Sequence, residues 1–153
     1  MITLDELMQQ LDNKSRLIGI DMGTKRIGIS ICDENRKIAT PFETINYVNI
    51  SKLASRLSEI ILENNIKGIV VGLPLNMDGT EGPSVQSVKD KFKSIKNKII
   101  IPYVFWDERL STVGSFNISR QLDINVSKKM KDIDKNSATF ILQGAIDYLK
   151  NKT

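Results

Sequence analysis

The sequence predicts an α/β fold: a five-stranded mixed sheet, with three antiparallel strands joined by hairpins, then two parallel strands, and helices flanking the sheet. Three observations carry this expectation. Apolar runs at Leu17–Asp21 and Ile27–Cys32 are joined by MGTKR, a glycine-containing hairpin signal. Two later apolar runs, Gly68–Gly72 and Ile99–Trp106, each follow a stretch of helical spacing, so helical crossovers make them parallel neighbours. The last stretch, Asn136–Lys150, has the apolar spacing of a strongly amphipathic helix.

Taken in order, TLDE at Thr3–Glu6 is a capping-box pattern. It opens a short helix through about Leu11, with Leu4, Leu7, Met8 and Leu11 on one face. Residues 1–15 are therefore expected to be a helical extension packed on a single domain formed by residues 16–153. A third strand is expected around Lys37–Ile45, where Pro41 points to an edge or a bulge. Leu53, Leu57, Ile60 and Ile61 give Ile50–Asn64 helical spacing. The loop LPLNMDGTEGPS follows the Gly68–Gly72 strand, and Ser84 to about Ile95 reads as a helix. Thr112–Leu122 reads as a further helix and Asp123–Lys131 as a polar, basic loop.

With 153 residues the chain fits one domain with a real core. No apolar run approaches the roughly 20 residues of a membrane span, and no membrane partner is expected. MITLDELMQQLDNKSR has early acids and no apolar core, so it does not read as a signal peptide, and the expected location is cytoplasmic. The chain contains no histidine, which removes Ser-His-Asp and Cys-His hydrolysis and nearly all catalytic zinc sites. Its one cysteine, Cys32, lies in a strand pattern and reads as a buried structural thiol. Carboxylates, lysine, arginine and hydroxyls remain for catalysis, and carboxylates without histidine suit magnesium or manganese. A net charge of +4 and a pI near 9.2 lean toward a polyanionic partner. Lysines cluster at Lys89–Lys98 and Ser127–Lys135, where solvated helix faces and loops are the alternative explanation.

If the Leu17, Gly68 and Ile99 strands run parallel, their carboxyl ends share one edge, where open α/β sheets form their sites. Those ends read IDMG, GLPLN and WDER, so acids arrive together by topology. Carboxylates gathered there repel one another, and one or two divalent cations would offset the repulsion. The alternative for Asp21 is a turn-forming acid bonded to the following backbone. Strand alternation places Asp107 and Glu108 on opposite faces, so at most one of them faces the site. Asp132 and Asp134 precede the apolar face of the last helix, where an N-cap or a dipole-favoured acid serves as well as a ligand. The loop after Gly72 offers backbone N–H groups and Asn76 to phosphates, or is a long surface turn.

Together these segments resemble the YqgF/RuvX family of Holliday-junction-resolvase-like and pre-ribosomal-RNA nucleases, over about Leu17–Leu149. "GIDMGTKRIGIS" resembles the family's opening motif and "VVGLPLNMDGTEGP" its long loop, the most specific match. "DERLST" resembles its later acidic motif and "DKNSATFILQ" the start of its last helix. Ser137 stands where the family usually has alanine, and residues 1–15 extend beyond the usual start.

The resemblance implies an RNase H-like fold and a metal-dependent nuclease, a hydrolase of phosphodiester bonds in structured nucleic acid. The implied substrate is the 5′ end of pre-16S rRNA. It also implies Asp21, Glu108 and Asp134 as the catalytic acids and as ligands of Mg2+ or Mn2+, choosing Glu108 over Asp107 and Asp134 over Asp132. Lys25, Arg26, Asn76 and Arg109 are candidate phosphate contacts. Ribosome-assembly partners and a monomer or weak dimer accompany this reading. The alternatives are a nuclease of branched DNA, a non-catalytic nucleic-acid-binding assembly factor, and a phosphotransferase of the actin and sugar-kinase group. That last group needs a second lobe and a second glycine-rich phosphate motif, and the sequence shows neither.

Overall fold

A computed structural model describes residues 3–12, 14–75, 78–107 and 126–151, with 126–136 and 151 described by backbone alone. In chain order the elements are α1 (Leu4–Gln9), β1 (Arg16–Met22), β2 (Arg26–Cys32), β3 (Ala39–Asn46), α2 (Ile50–Glu63), β4 (Ile66–Leu73), α3 (Pro83–Lys96), β5 (Tyr103–Asp107) and α4 (Val126–Asn151). The strands form a five-stranded sheet in the order β3-β2-β1-β4-β5. β1 pairs antiparallel with β2, and β2 with β3, and β4–β5 is parallel, as the hairpin and crossover signals predict; β1–β4 is also parallel, which meets the condition for a shared carboxyl edge. Among the described residues no helix is long and apolar enough to cross a membrane.

Both expectations for Pro41 hold. β3 is an edge strand, and its ladder shifts where Ile29 pairs with Glu43 and Ser30 with Pro41, leaving Phe42 as the extra residue of a bulge. Proline has no N–H to give the ladder, so an interruption at the edge costs little.

The sheet is covered on both faces, which is why β1, β2 and β4 are apolar nearly throughout. Ile18, Ile20, Ile69 and Val71 share one core with Leu53, Leu57 and Ile60 of α2 and with Val85, Val88 and Phe92 of α3. Leu17, Val70, Val104 and Trp106 share the other with Ile141, Leu142, Ala145 and Ile146 of α4 and with Leu4 and Leu7 of α1. Thr3 caps α1, its Oγ1 accepting the Glu6 N–H at 3.1 Å. On the first face, Arg56 of α2 forms a two-pronged pair with Glu43 of β3 (2.8 and 2.6 Å), tying the crossover helix to the edge strand.

Two stretches depart from expectation. Val126–Lys131 is helix rather than loop, because lysine and methionine are good helix formers and a polar composition reports exposure, not backbone conformation. Ile99–Pro102 precedes the strand instead of forming it. The Ile99 N–H still bonds Ile95 O (3.2 Å) in the turn leaving α3, and Ile100 is 97% exposed. The helix expected at Thr112–Leu122 lies outside the described residues.

After β2, Asp33 Oδ1 accepts the N–H groups of Lys37 (2.8 Å) and Ile38 (2.9 Å). The Ile38 bond foremost holds its carboxyl below the ordinary carboxylate value. A depressed folded value means a contribution that is present above the unfolded pKa and lost as pH falls through the folded one. Asp33→Asn is therefore expected to lower the melting temperature by about 1–3 °C at pH 7. Melts between about pH 5 and pH 2 should show that difference vanishing, and a gap constant with pH would refute the assignment.

Candidate active site

β1, β4 and β5 run parallel, so their carboxyl ends share one edge of the sheet. Asp21, half-buried, is the penultimate residue of β1 and pairs across the hairpin with Gly28 of β2. On its other side Ile20 pairs with Val71, which puts Gly72 of β4 level with Asp21. Directly paired residues share a sheet face, and the residues level with Asp21 on the two neighbouring strands are both glycine. Strand alternation sets Asp21 on the face of Leu17 and Gly19, the face that α4 covers.

How closely α4 lies on β1 is decided at Gly19. A Cβ there would stand 2.5 Å from Ser30 Oγ, 2.7 Å from Leu142 Cβ and 2.9 Å from Ala138 O. The buried Ser30 hydroxyl donates to that same Ala138 carbonyl at 2.8 Å, fastening the helix to the sheet. α4 runs opposite to β1. Ala138 lies over Gly19, while Gln143 Oε1 accepts from Ala39 N (2.8 Å) and Lys150 Nζ donates to Lys37 O (3.3 Å) at the far end. Asp134 is one turn before Ala138, about 6 Å along the helix axis. Asp21 is two residues beyond Gly19, about 6.6 Å along the strand in the same direction.

Asp107 ends β5 on the other face. Val104 and Trp106 pack toward α4, whereas Tyr103 and Phe105 pack on Phe92 of α3, with ring centroids 4.7 and 6.1 Å away. Alternation groups Asp107 with the latter pair, on the face opposite Asp21. Glu108, Arg109 and Asn76 lie outside the described residues, and so does the side chain of Asp134. Lys25 is exposed in the β1–β2 turn, and its carbonyl accepts the Tyr47 N–H at 2.8 Å. Arg26 opens β2, half-buried, opposite Asn46. Gly23 permits this turn, since a Cβ there would overlap the Arg26 carbonyl oxygen. The Gly23 N–H bonds the main-chain oxygen of Asp21 at 3.1 Å.

Among the described residues no three acidic, cysteine or histidine side chains gather around one point. The expected set is Asp21, Glu108 and Asp134, and carboxylate oxygens are the donors that hard divalent cations take. The sequence reading missed the roles of Ser30 and Gly19. A polar serine within an otherwise apolar strand was the available signal for the first, and a glycine at a strand centre for the second.

A family model described as RuvX, Holliday junction resolvase, matches residues 15–148. The chain belongs to the RuvX family. A RuvX-family relative in Pelagibacter ubique, named "Putative pre-16S rRNA nuclease", is 57% identical over 151 residues, covering 99% of this chain and 100% of that one. A relative of the same name in Beijerinckia indica is 43% identical, covering 97% and 90% of the two chains. Among solved structures, RuvC of T. thermophilus in complex with a Holliday junction substrate aligns with a TM-score of 0.58 at 10% identity, covering 89% of this chain and 96% of RuvC. That likeness establishes the RNase H-like fold of this RuvX-family chain.

Proposed function

We propose that this chain is a divalent-metal-dependent nuclease that hydrolyses phosphodiester bonds at the 5′ end of pre-16S rRNA. The observation carrying the reading is an Asp21 carboxylate at the shared edge of the parallel strands, in a chain 57% identical end to end to a relative named for that activity. Asp21, Glu108 and Asp134 would hold Mg2+ or Mn2+. Such an ion, when bound, offsets charge on the scissile phosphate and makes water a better nucleophile at neutral pH. The chain's own contribution is positional. Gly28 and Gly72 stand level with Asp21 on the neighbouring strands, and the Gly19–Ser30–Ala138 contact sets how closely α4, which carries residue 134, lies on β1. Lys25, Arg26, Asn76 and Arg109 bind flanking phosphates, which positions the strand without reading its sequence. This reading places the chain in the cytoplasm beside assembling small ribosomal subunits, as a monomer or weak dimer. The family description favours branched DNA as the second reading.

The test offers the protein a 5′-extended 16S precursor fragment and a four-way DNA junction, each with Mg2+, Mn2+ or EDTA. The precursor is expected to be cut only with metal, and Glu108→Gln is expected to slow cutting at least about a hundredfold. Cutting of the junction alone would select the second reading. Failure to cut either, or cutting that EDTA leaves intact, overturns both.

A further inference from the structure

The carboxyl end of β3 joins the site to a group of lysines drawn from three separate elements. Tyr47, just past β3, donates its N–H to Lys25 O in the turn that follows Asp21. Lys91 of α3 places its ammonium 4.6 Å from the centroid of the Tyr47 ring. Beyond Tyr47, Asn49 caps α2 by accepting the Lys52 N–H at 2.9 Å, and Lys98, just after α3, donates to Ser51 Oγ at 2.9 Å. The side chains of Lys91 and Lys98 thus reach the stretch of backbone that runs from the hairpin contact of Lys25 to Lys52 at the start of α2, although residues 25 and 98 are far apart in sequence.

The acids of this region are engaged elsewhere. Glu43 and Glu59 hold Arg56, Glu81 holds Lys89, and Asp90 accepts from Gln86. Among the described residues none of the four ammonium groups forms an ion pair. Two ammonium groups seated on a tyrosine ring and a serine hydroxyl, with exposed Lys25 and Lys52 on the adjoining backbone, form a surface complementary to a polyanion.

We propose that Lys25, Lys52, Lys91 and Lys98 form a track for the phosphate backbone of the nucleic acid, holding the arm that extends from the cleavage site over the β3–α2 junction. The proposal deepens the nuclease reading and rests on it. Lysines on flexible stems contact phosphates as point charges, so the track favours no sequence.

The test measures equilibrium binding in EDTA, where no cutting occurs, across a series of salt concentrations. The probes are the precursor fragment and an unrelated RNA hairpin of equal length. The variant is Lys52→Gln/Lys91→Gln/Lys98→Gln. A control with the same charge change, Lys14→Gln/Lys37→Gln/Lys67→Gln, alters lysines just before β1, just before β3 and at the start of β4, the opposite end of the sheet.

The track variant is expected to bind both probes at least about tenfold more weakly, with the slope of log K against log salt reduced by about 2–3. The control should stay within about threefold of the parent protein. Equal losses in both variants would reduce the effect to net charge and overturn the track. Parent-like binding by the track variant overturns the track and leaves the nuclease reading standing. Absence of binding by the parent protein in EDTA overturns the track, and the nuclease reading then stands or falls on the cleavage test with metal.

Discussion

Asp21→Asn is expected to lower the single-turnover rate of precursor cleavage by about a hundredfold to a thousandfold. Asparagine keeps the shape and one carbonyl oxygen but removes the charge, so it separates the ligand role from packing. The position suits this separation, because the paired residues Gly28 and the register neighbour Gly72 have no side chains to be disturbed. Two further readouts go with the rate. Affinity for Mn2+, followed by calorimetry, should fall with it. The melting temperature without metal should change far less than the rate, since asparagine keeps the shape of the side chain. A rate within about threefold of the parent protein would move the reaction centre away from Asp21.

Gly19→Ala is expected to have the largest effect on stability, about 3 kcal/mol, or a melting temperature lower by about 6–12 °C. The new methyl carbon would meet Ser30 Oγ at 2.5 Å, Leu142 Cβ at 2.7 Å and Ala138 O at 2.9 Å. Two of those three atoms belong to the helix close to its axis and cannot swing aside, so α4 must move off the sheet. Residue 134 moves with it, and cleavage should fall alongside stability.

Ser30→Ala alone removes the hydrogen bond to Ala138 O and should cost only about 1–2 kcal/mol. Because it also removes the nearest obstacle, the double variant Gly19→Ala/Ser30→Ala should lose less than the sum of the two single losses. Thermal denaturation of the four proteins checks this cycle. Additive losses would mean that Ser30 and α4 do not share the contact at Gly19.

How much was legible in advance differs from element to element. The β1–β2 hairpin, the parallel β4 and β5, and α2 and α3 follow from local periodicity and turn residues, with boundaries a few residues off where an apolar run outlasted its strand at Ile99–Pro102. The candidate acids were legible as strand-end residues, and their selection from neighbouring acids came from family resemblance. Ser30 and Gly19 were not legible as a clamp, because Ala138 lies more than a hundred residues away.

The sequence by itself determined the succession of β1 to β5 with α2 and α3 between them, the antiparallel hairpins, the parallel relation of β4 to β5 and the absence of histidine from any chemistry at the sheet edge. Periodicities of two and 3.6 residues and the length of each connection are local properties of the chain. Only the tertiary structure decided that Asp107 stands on the α3 face and Asp21 on the α4 face, that α4 rests on the bare backbone of Gly19, and that Lys91 and Lys98 reach the β3–α2 junction beside Lys25. Those facts depend on which surfaces close-pack against each other. That is settled by the joint fit of side chains distant in sequence, which no single stretch of the chain contains.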